Sequence, residues 1–213
     1  MLACGQASAA LLAIGPGAAV TTVGSGASRN NVLGSGVTLR DNAMLSTTAP
    51  AVLEFFYLGS ESGLKNTLNV SGGLSHTDTD SIPGWASATR LFEITVDAAG
   101  AVPMNFTSSK SGWGTLTPGG ANGGKSIAFA YLSCLTSKSC ATTGPSDMVL
   151  FAMDDGGGSP DDNDFDDYVG YIVAKPFVVP STSAAVPAVP LPAAFWLLGS
   201  ALLGLVGIGR RRI

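Results

Sequence analysis

Between residues 36 and 174 the apolar and polar positions alternate with a period of two. Val52, Glu54 and Phe56 alternate with Leu53, Phe55 and Tyr57. Leu91, Glu93, Thr95 and Asp97 alternate with Phe92, Ile94 and Val96. Successive side chains of a strand point to opposite faces, so this pattern predicts half-buried strands. Further strands are predicted over 36–41, 65–71, 101–107, 126–133, 147–153 and 168–174. Clusters of Gly, Pro, Asn and Ser separate them at 59–63, 81–84, 117–124 and 155–163. No helix of 12 or more residues is expected between the chain ends, and no internal repeat is evident. About eight short strands with such breaks predict an all-β fold, an antiparallel β-sandwich or jelly roll. The β-domain is expected over residues 30–176.

The two ends break the period. Residues 193–209 are 17 uncharged, mainly apolar residues followed at once by Arg210, Arg211 and Arg212. That is the short end of the range for a transmembrane helix. The positive-inside rule places the arginines in the cytoplasm and everything upstream outside it. Residues 177–190, rich in Pro, Ala and Ser, read as a linker with too little apolar bulk to pack. Residues 1–20 are apolar and small, the composition of a secretory leader. The first basic residue is Arg29, so the positive n-region of a leader is missing, and residues 1–20 are expected to be a signal peptide or a truncated leader.

Val189-Pro190-Leu191-Pro192-Ala193, a short apolar helix and a terminal Arg cluster together resemble the VPLPA variant of the PEP-CTERM sorting signal. The segment from Phe56 to Thr67, with an acidic loop later in the chain, is also similar to exported proteins of that family. The resemblance implies a tail over residues 189–213 that an exosortase-type membrane protease processes during export. It implies a cell-envelope or extracellular location, in a setting of exopolysaccharide and biofilm, and no known activity.

Composition agrees with export. Charged residues are 12% of the chain, against about 25% in ordinary soluble domains. The net charge of −4 conceals an asymmetry. Without the three terminal arginines, eight basic residues face fifteen acidic ones, a balance of −7. Such a body repels phosphate backbones, which argues against nucleic acid as a partner. Cys134 and Cys140 frame a polar loop at a spacing that fits neither a redox motif nor a zinc knuckle. In an oxidising compartment they are expected to pair, stabilising the fold by roughly 2 kcal/mol.

Seven of the fifteen acidic residues fall between Asp154 and Asp167. A run of like charges repels itself, and a hard divalent cation removes that cost. Calcium takes about six to eight oxygens, which carboxylates, amides and loop carbonyls supply. Asp162, Asp164 and Asp166 stand at i, i+2 and i+4, and Asp167 takes the place where an EF-hand needs glycine. The predicted calcium loop is therefore not an EF-hand. Asp154, Asp155, Asp161, Asn163 and Asp167 complete the candidate ligand set, and Gly156 to Gly158 would let the backbone turn back closely. Phe165 and Tyr168, inside this run, are expected to pack against the sheets.

Catalytic constellations are sparse. His76 is the one histidine, in a polar stretch that reads as a surface loop, and no G-x-S-x-G elbow supplies a serine. Glu54, Glu61 and Glu93 are the only glutamates; two read as outward strand positions and Glu61 as a turn. The chain is therefore expected to be a non-enzymatic structural or interaction protein, possessing a membrane contact through its tail and exopolysaccharide as a candidate partner. Two alternatives remain on the sequence: a carbohydrate-binding module using Trp85 and Trp113, and a glycan-active hydrolase using a carboxylate pair.

Overall fold

The computed structural model describes residues 10–21, 30–79, 88–120, 125–131, 147–156 and 164–177. The chain divides into two units, residues 1–177 and 178–213. The second unit lies outside the described residues. With it lie the linker from residue 178, the helix expected over 193–209, and the sorting residues Val189 to Ala193 and Arg210 to Arg212. Cys134 and Cys140 also lie outside them. Among the described residues no helix is long and apolar enough to cross a membrane.

The described residues of the first unit are all-β, with fourteen strands in antiparallel sheets. In chain order they are β1 (Leu12–Ile14), β2 (Ala18–Thr21), β3 (Thr38–Asp41), β4 (Leu45–Thr47), β5 (Ala51–Gly59), β6 (Asn66–Val70) and β7 (Leu74–Thr77). There follow β8 (Thr89–Val96), β9 (Gly100–Ala101), β10 (Met104–Ser108), β11 (Thr115–Leu116), β12 (Ser126–Tyr131), β13 (Met148–Asp154) and β14 (Tyr168–Pro176). All eight expected strands are present. The other six are two to four residues long, too short to display a period. The expected count of about eight is thereby corrected to fourteen among the described residues.

A seven-stranded sheet has the order β2-β3-β12-β13-β14-β5-β8. A four-stranded sheet, β11-β10-β6-β7, and a three-stranded sheet, β1-β4-β9, accompany it. The β6–β7 hairpin turns at Gly72 and Gly73, both with positive φ (80° and 74°), a backbone that glycine adopts without steric cost.

The period of two sorts the large sheet's side chains into two clusters. Ile127, Phe129, Val149, Phe151, Tyr168 and Ile172 enter the first cluster, together with Leu12, Leu45, Leu68, Phe106 and Leu116 of the smaller sheets. Ala128, Ala130, Leu150, Ala152, Val169 and Tyr171 enter the second, against Val32, Leu33 and Val37. β12 to β14 are thus buried on both faces along most of their length, not half-buried as alternation alone predicts. The alternation in β12 is between large and small apolar residues, and both kinds bury well.

β1 and all of β2 but Thr21 fall inside the stretch expected as a leader. Leu12 is fully buried in the first cluster, and the Ile14 N–H donates to Tyr131 Oη at 2.6 Å. The β-body therefore reaches N-terminal to residue 30, as far as residue 10. A short run of small apolar residues reads alike as a leader core and as a buried strand.

Among the described residues, β2 and β8 form the edges of the large sheet. Near the β8 edge, Glu54 of β5 pairs with Arg90 at 2.9 Å and with Lys175 of β14 at 2.6 Å. Arg90 also meets Glu93 at 2.7 Å. Glu54 and Glu93 are cross-strand neighbours, and the arginine offsets their repulsion. The hydrogen bond from Lys175 is the largest influence holding the Glu54 carboxyl below the usual range.

Candidate functional site

The acidic residues gather at one end of the large sheet, where β13 runs out and β14 begins. Met153 pairs with Tyr168, so the chain leaves and re-enters the sheet side by side. Asp154, Asp155, Asp164, Asp166 and Asp167 are all buried, none more than 9% exposed. The sequence places these five together, and the structure does the same. Asp161, Asp162 and Asn163 lie outside the described residues.

Backbone geometry fixes the hairpin. Gly156 has φ 58°, and its N–H donates to Asp154 Oδ1 at 2.9 Å. The Asp155 N–H donates to Asp167 Oδ2 at 2.7 Å, across the hairpin. The Asp166 N–H donates to Asp164 Oδ1 at 3.2 Å. Phe165, between them, takes the left-handed conformation at φ 62°, unusual for a bulky residue. Its ring is buried in the second cluster, which compensates that strain. Tyr168 is fully buried in the first cluster, so both aromatics pack inward as expected.

Residues far away in the chain complete the site. Asn30 is fully buried, and its Nδ2 donates to the carbonyls of Asp164 (2.9 Å) and Phe165 (2.8 Å). Its Oδ1 accepts from the Leu33 N–H at 2.5 Å. The Asn31 N–H donates to Asp166 Oδ2 at 2.6 Å, and its side-chain amide donates to Glu61. From the β5–β6 connection, Ser62 Oγ donates to Asp155 Oδ2 at 2.7 Å. Asn66 Nδ2 approaches the same oxygen at 3.0 Å. The Asn66 Oδ1 is buried and, among the described residues, has no hydrogen-bond partner. None of Asn30, Asn31, Ser62 and Asn66 is singled out as a ligand by the sequence, because each sits in an ordinary polar stretch far along the chain from the acidic run.

Among the described residues, the hydrogen bonds that Asp155, Asp166 and Asp167 accept come from neutral N–H and O–H donors. The charges therefore stay poorly compensated. Burial pushes the Asp167 carboxyl up to about 8, and the nearby Asp155, Asp154 and Asp164 charges push the same way. Burial pushes Asp166 up to about 6, against the hydrogen bonds from Asn31 and Asp164, with the Glu61 and Asp167 charges adding to the rise. Among the described residues, no three His, Cys, Asp or Glu side chains form a ready metal-holding group. The available donors are carboxylate, amide, hydroxyl and carbonyl oxygens. That set fits a hard cation such as calcium and does not suit zinc or copper.

Trp113 belongs to the same end of the molecule. Its Nε1 donates to the Asp155 carbonyl at 2.9 Å, and the side chain is buried. Lys125 Nζ sits 4.6 Å from the ring centroid and donates to the Trp113 carbonyl at 2.5 Å. A buried ring with an ammonium over its face is not a platform for stacking a sugar. A small cleft of about 240 Å³ opens beside it, lined by Lys110, Ser111, Gly112, Lys125 and Gly156 among others. Trp85 lies outside the described residues.

His76 is not in a surface loop. It lies in β7, half-buried, with Nδ1 2.7 Å from Tyr168 Oη and its ring 4.8 Å from that of Tyr57. Burial lowers its pKa, so the ring stays neutral at pH 7. Its neighbours are aromatic walls, and it serves the packing of the first cluster's rim.

Compared with protein-family models, with curated proteins and with solved structures, the chain finds no match.

Proposed function

We propose that this chain is an exported, non-enzymatic protein of the cell envelope or extracellular matrix. In this reading it is a β-sandwich on a Pro/Ala/Ser stalk, processed at its C-terminal sorting segment. Calcium at the acidic hairpin stiffens one end of the sandwich. The observation that carries the calcium is the burial of five carboxylates at one sheet end, where Asp155, Asp166 and Asp167 accept hydrogen bonds from neutral donors. For Asp155, Asp166 and Asp167, burial against neutral donors is costly to the ionised form, and a bound divalent cation reverses the sign of that balance. The resemblance of residues 189–213 to a VPLPA-type tail supports the location.

Calcium titrated into the chelator-treated protein should release or absorb measurable heat and raise the melting temperature. Extracellular calcium modules bind at about 0.1–1 mM, so millimolar calcium is the relevant range. At a hundredfold excess over the dissociation constant the gain is about 2.7 kcal/mol. Neither heat nor a melting shift at millimolar calcium would remove calcium from the reading. The location has its own check. Protein recovered from the envelope of the native host should show an intact mass short of the C-terminal tail. A full-length mass confined to the cytosol would refute export.

A further inference from the structure

We propose that Asn66 is a ligand of the hairpin cation and that its side-chain amide turns over when the cation binds. The inference rests on the calcium reading above and adds a ligand from a different sheet. Asn66 opens β6 of the four-stranded sheet, whereas Asp155 and Asp167 flank the hairpin of the seven-stranded one.

The amide is placed among too many acceptors. Its nitrogen has Ser62 Oγ at 3.0 Å, Asp155 Oδ2 at 3.0 Å and the Asp167 carbonyl at 3.4 Å. An NH2 group has two hydrogens, so three oxygens exceed what it serves well. Its own oxygen, meanwhile, is buried with no donor. Both facts have one remedy. Rotating the amide by half a turn puts Oδ1 where the nitrogen stands, about 3 Å from a carboxylate oxygen. Without a cation that contact repels. With calcium between them it is the ordinary edge of a coordination shell, whose ligands lie about 2.3–2.6 Å from the ion.

The surrounding bonds hold the residue for this role. The Asn66 N–H donates to the buried Asp78 Oδ2 at 2.9 Å, which fixes the backbone while leaving the amide to rotate. Ser62 Oγ already bridges toward Asp155 and accepts from the Leu64 N–H at 3.0 Å, so the turn before β6 is ordered around the same point. A cation held by Asn66 and the hairpin would fasten the two sheets together at one end.

The test follows the Asn66 side-chain amide resonances of the full chain, assigned on the unaltered protein by through-bond correlation to the Asn66 backbone, during titration with calcium chloride. The expected result is a shift of those resonances with the same midpoint as the heat of binding. Asn66→Ala should weaken calcium binding about tenfold or more, and Asn66→Asp, which keeps an oxygen donor and adds charge, should retain or strengthen it. Calcium heat with the Asn66 resonances unmoved would overturn the assignment while leaving the calcium site standing. Calcium giving neither heat nor a melting shift would overturn both. A purely structural amide donor predicts the reverse for Asn66→Asp, with binding lost along with the hydrogen bonds. Because the resonance shift is read on the unaltered chain, the result does not depend on either variant folding.

Discussion

Gly170→Ala should lower the stability of the protein by about 3 kcal/mol or more, seen as an earlier midpoint of urea unfolding. Gly170 lies in β14 beside the irregularity between Val169 and Gly170, opposite Tyr57 of β5 and Phe151 of β13. A methyl group there would overlap the Phe151 ring and the Phe56 carbonyl. The ring has little room to retreat, because Phe106 and Tyr168 stand against it with centroids 6.0 and 6.2 Å away. The carbonyl is backbone of a central strand and cannot retreat at all. An alanine also restricts the unfolded chain, a gain of about 0.4–1 kcal/mol. That gain is several-fold smaller than the cost of overpacking a filled core, so the net sign is destabilising. A midpoint within experimental error of the parent would mean that the Phe151 ring does not cover this position.

In chelator, without calcium, stability should increase as the pH is lowered from about 8 towards 4. Asp167 has a folded-state pKa of about 8 against an ordinary value of 3.8, and Asp166 one of about 6. A group whose pKa rises on folding binds its proton more tightly in the native state, so the slope of stability against pH is negative. The contribution is fully present below about 3.8 and declines as the pH rises. It is lost above about 6 for Asp166 and above about 8 for Asp167. For Asp167 alone the whole span is on the order of 5 kcal/mol. The two do not simply add, since each ionised carboxylate raises its neighbour. Asp167→Asn imitates the protonated side chain and retains an oxygen to accept the Asp155 N–H. It should raise the chelated protein's melting temperature at about pH 8, flatten the pH slope, and shrink the gain from calcium. Melting curves across that range in chelator decide the matter; a stability that climbs with pH would contradict the burial argument.

Much of the β-architecture is legible in the sequence because alternation over five or more residues leaves few other readings. Ala51–Gly59 and Thr89–Val96 show it best, and they pair with each other. The short strands are not legible. Gly100–Ala101 and Thr115–Leu116 are held in place by longer partners, and nothing in two residues announces that. Leu12–Ile14 is a stretch whose small apolar residues suit a leader equally well. The candidate site divides along the same line. Asp154, Asp155, Asp164, Asp166 and Asp167 are near one another in the chain, and their density reveals them. Asn30, Asn31, Ser62 and Asn66 reach the same place through tertiary folding, 89 or more positions away from their hydrogen-bonded acidic-loop partners. Gly170 sits in an apolar strand pattern, where its missing side chain carries meaning only once the Phe151 ring is seen above it.

Thr89–Val96, at the rim of the large sheet, bears on how copies of this chain tolerate crowding. A second molecule adding its own strand there would meet Arg90 and Glu93 on the rim itself, backed by Glu54 and Lys175. Docking would strip hydration from ions that are already matched within one molecule. Charged side chains on a strand edge of this kind disfavour strand addition between copies along this rim.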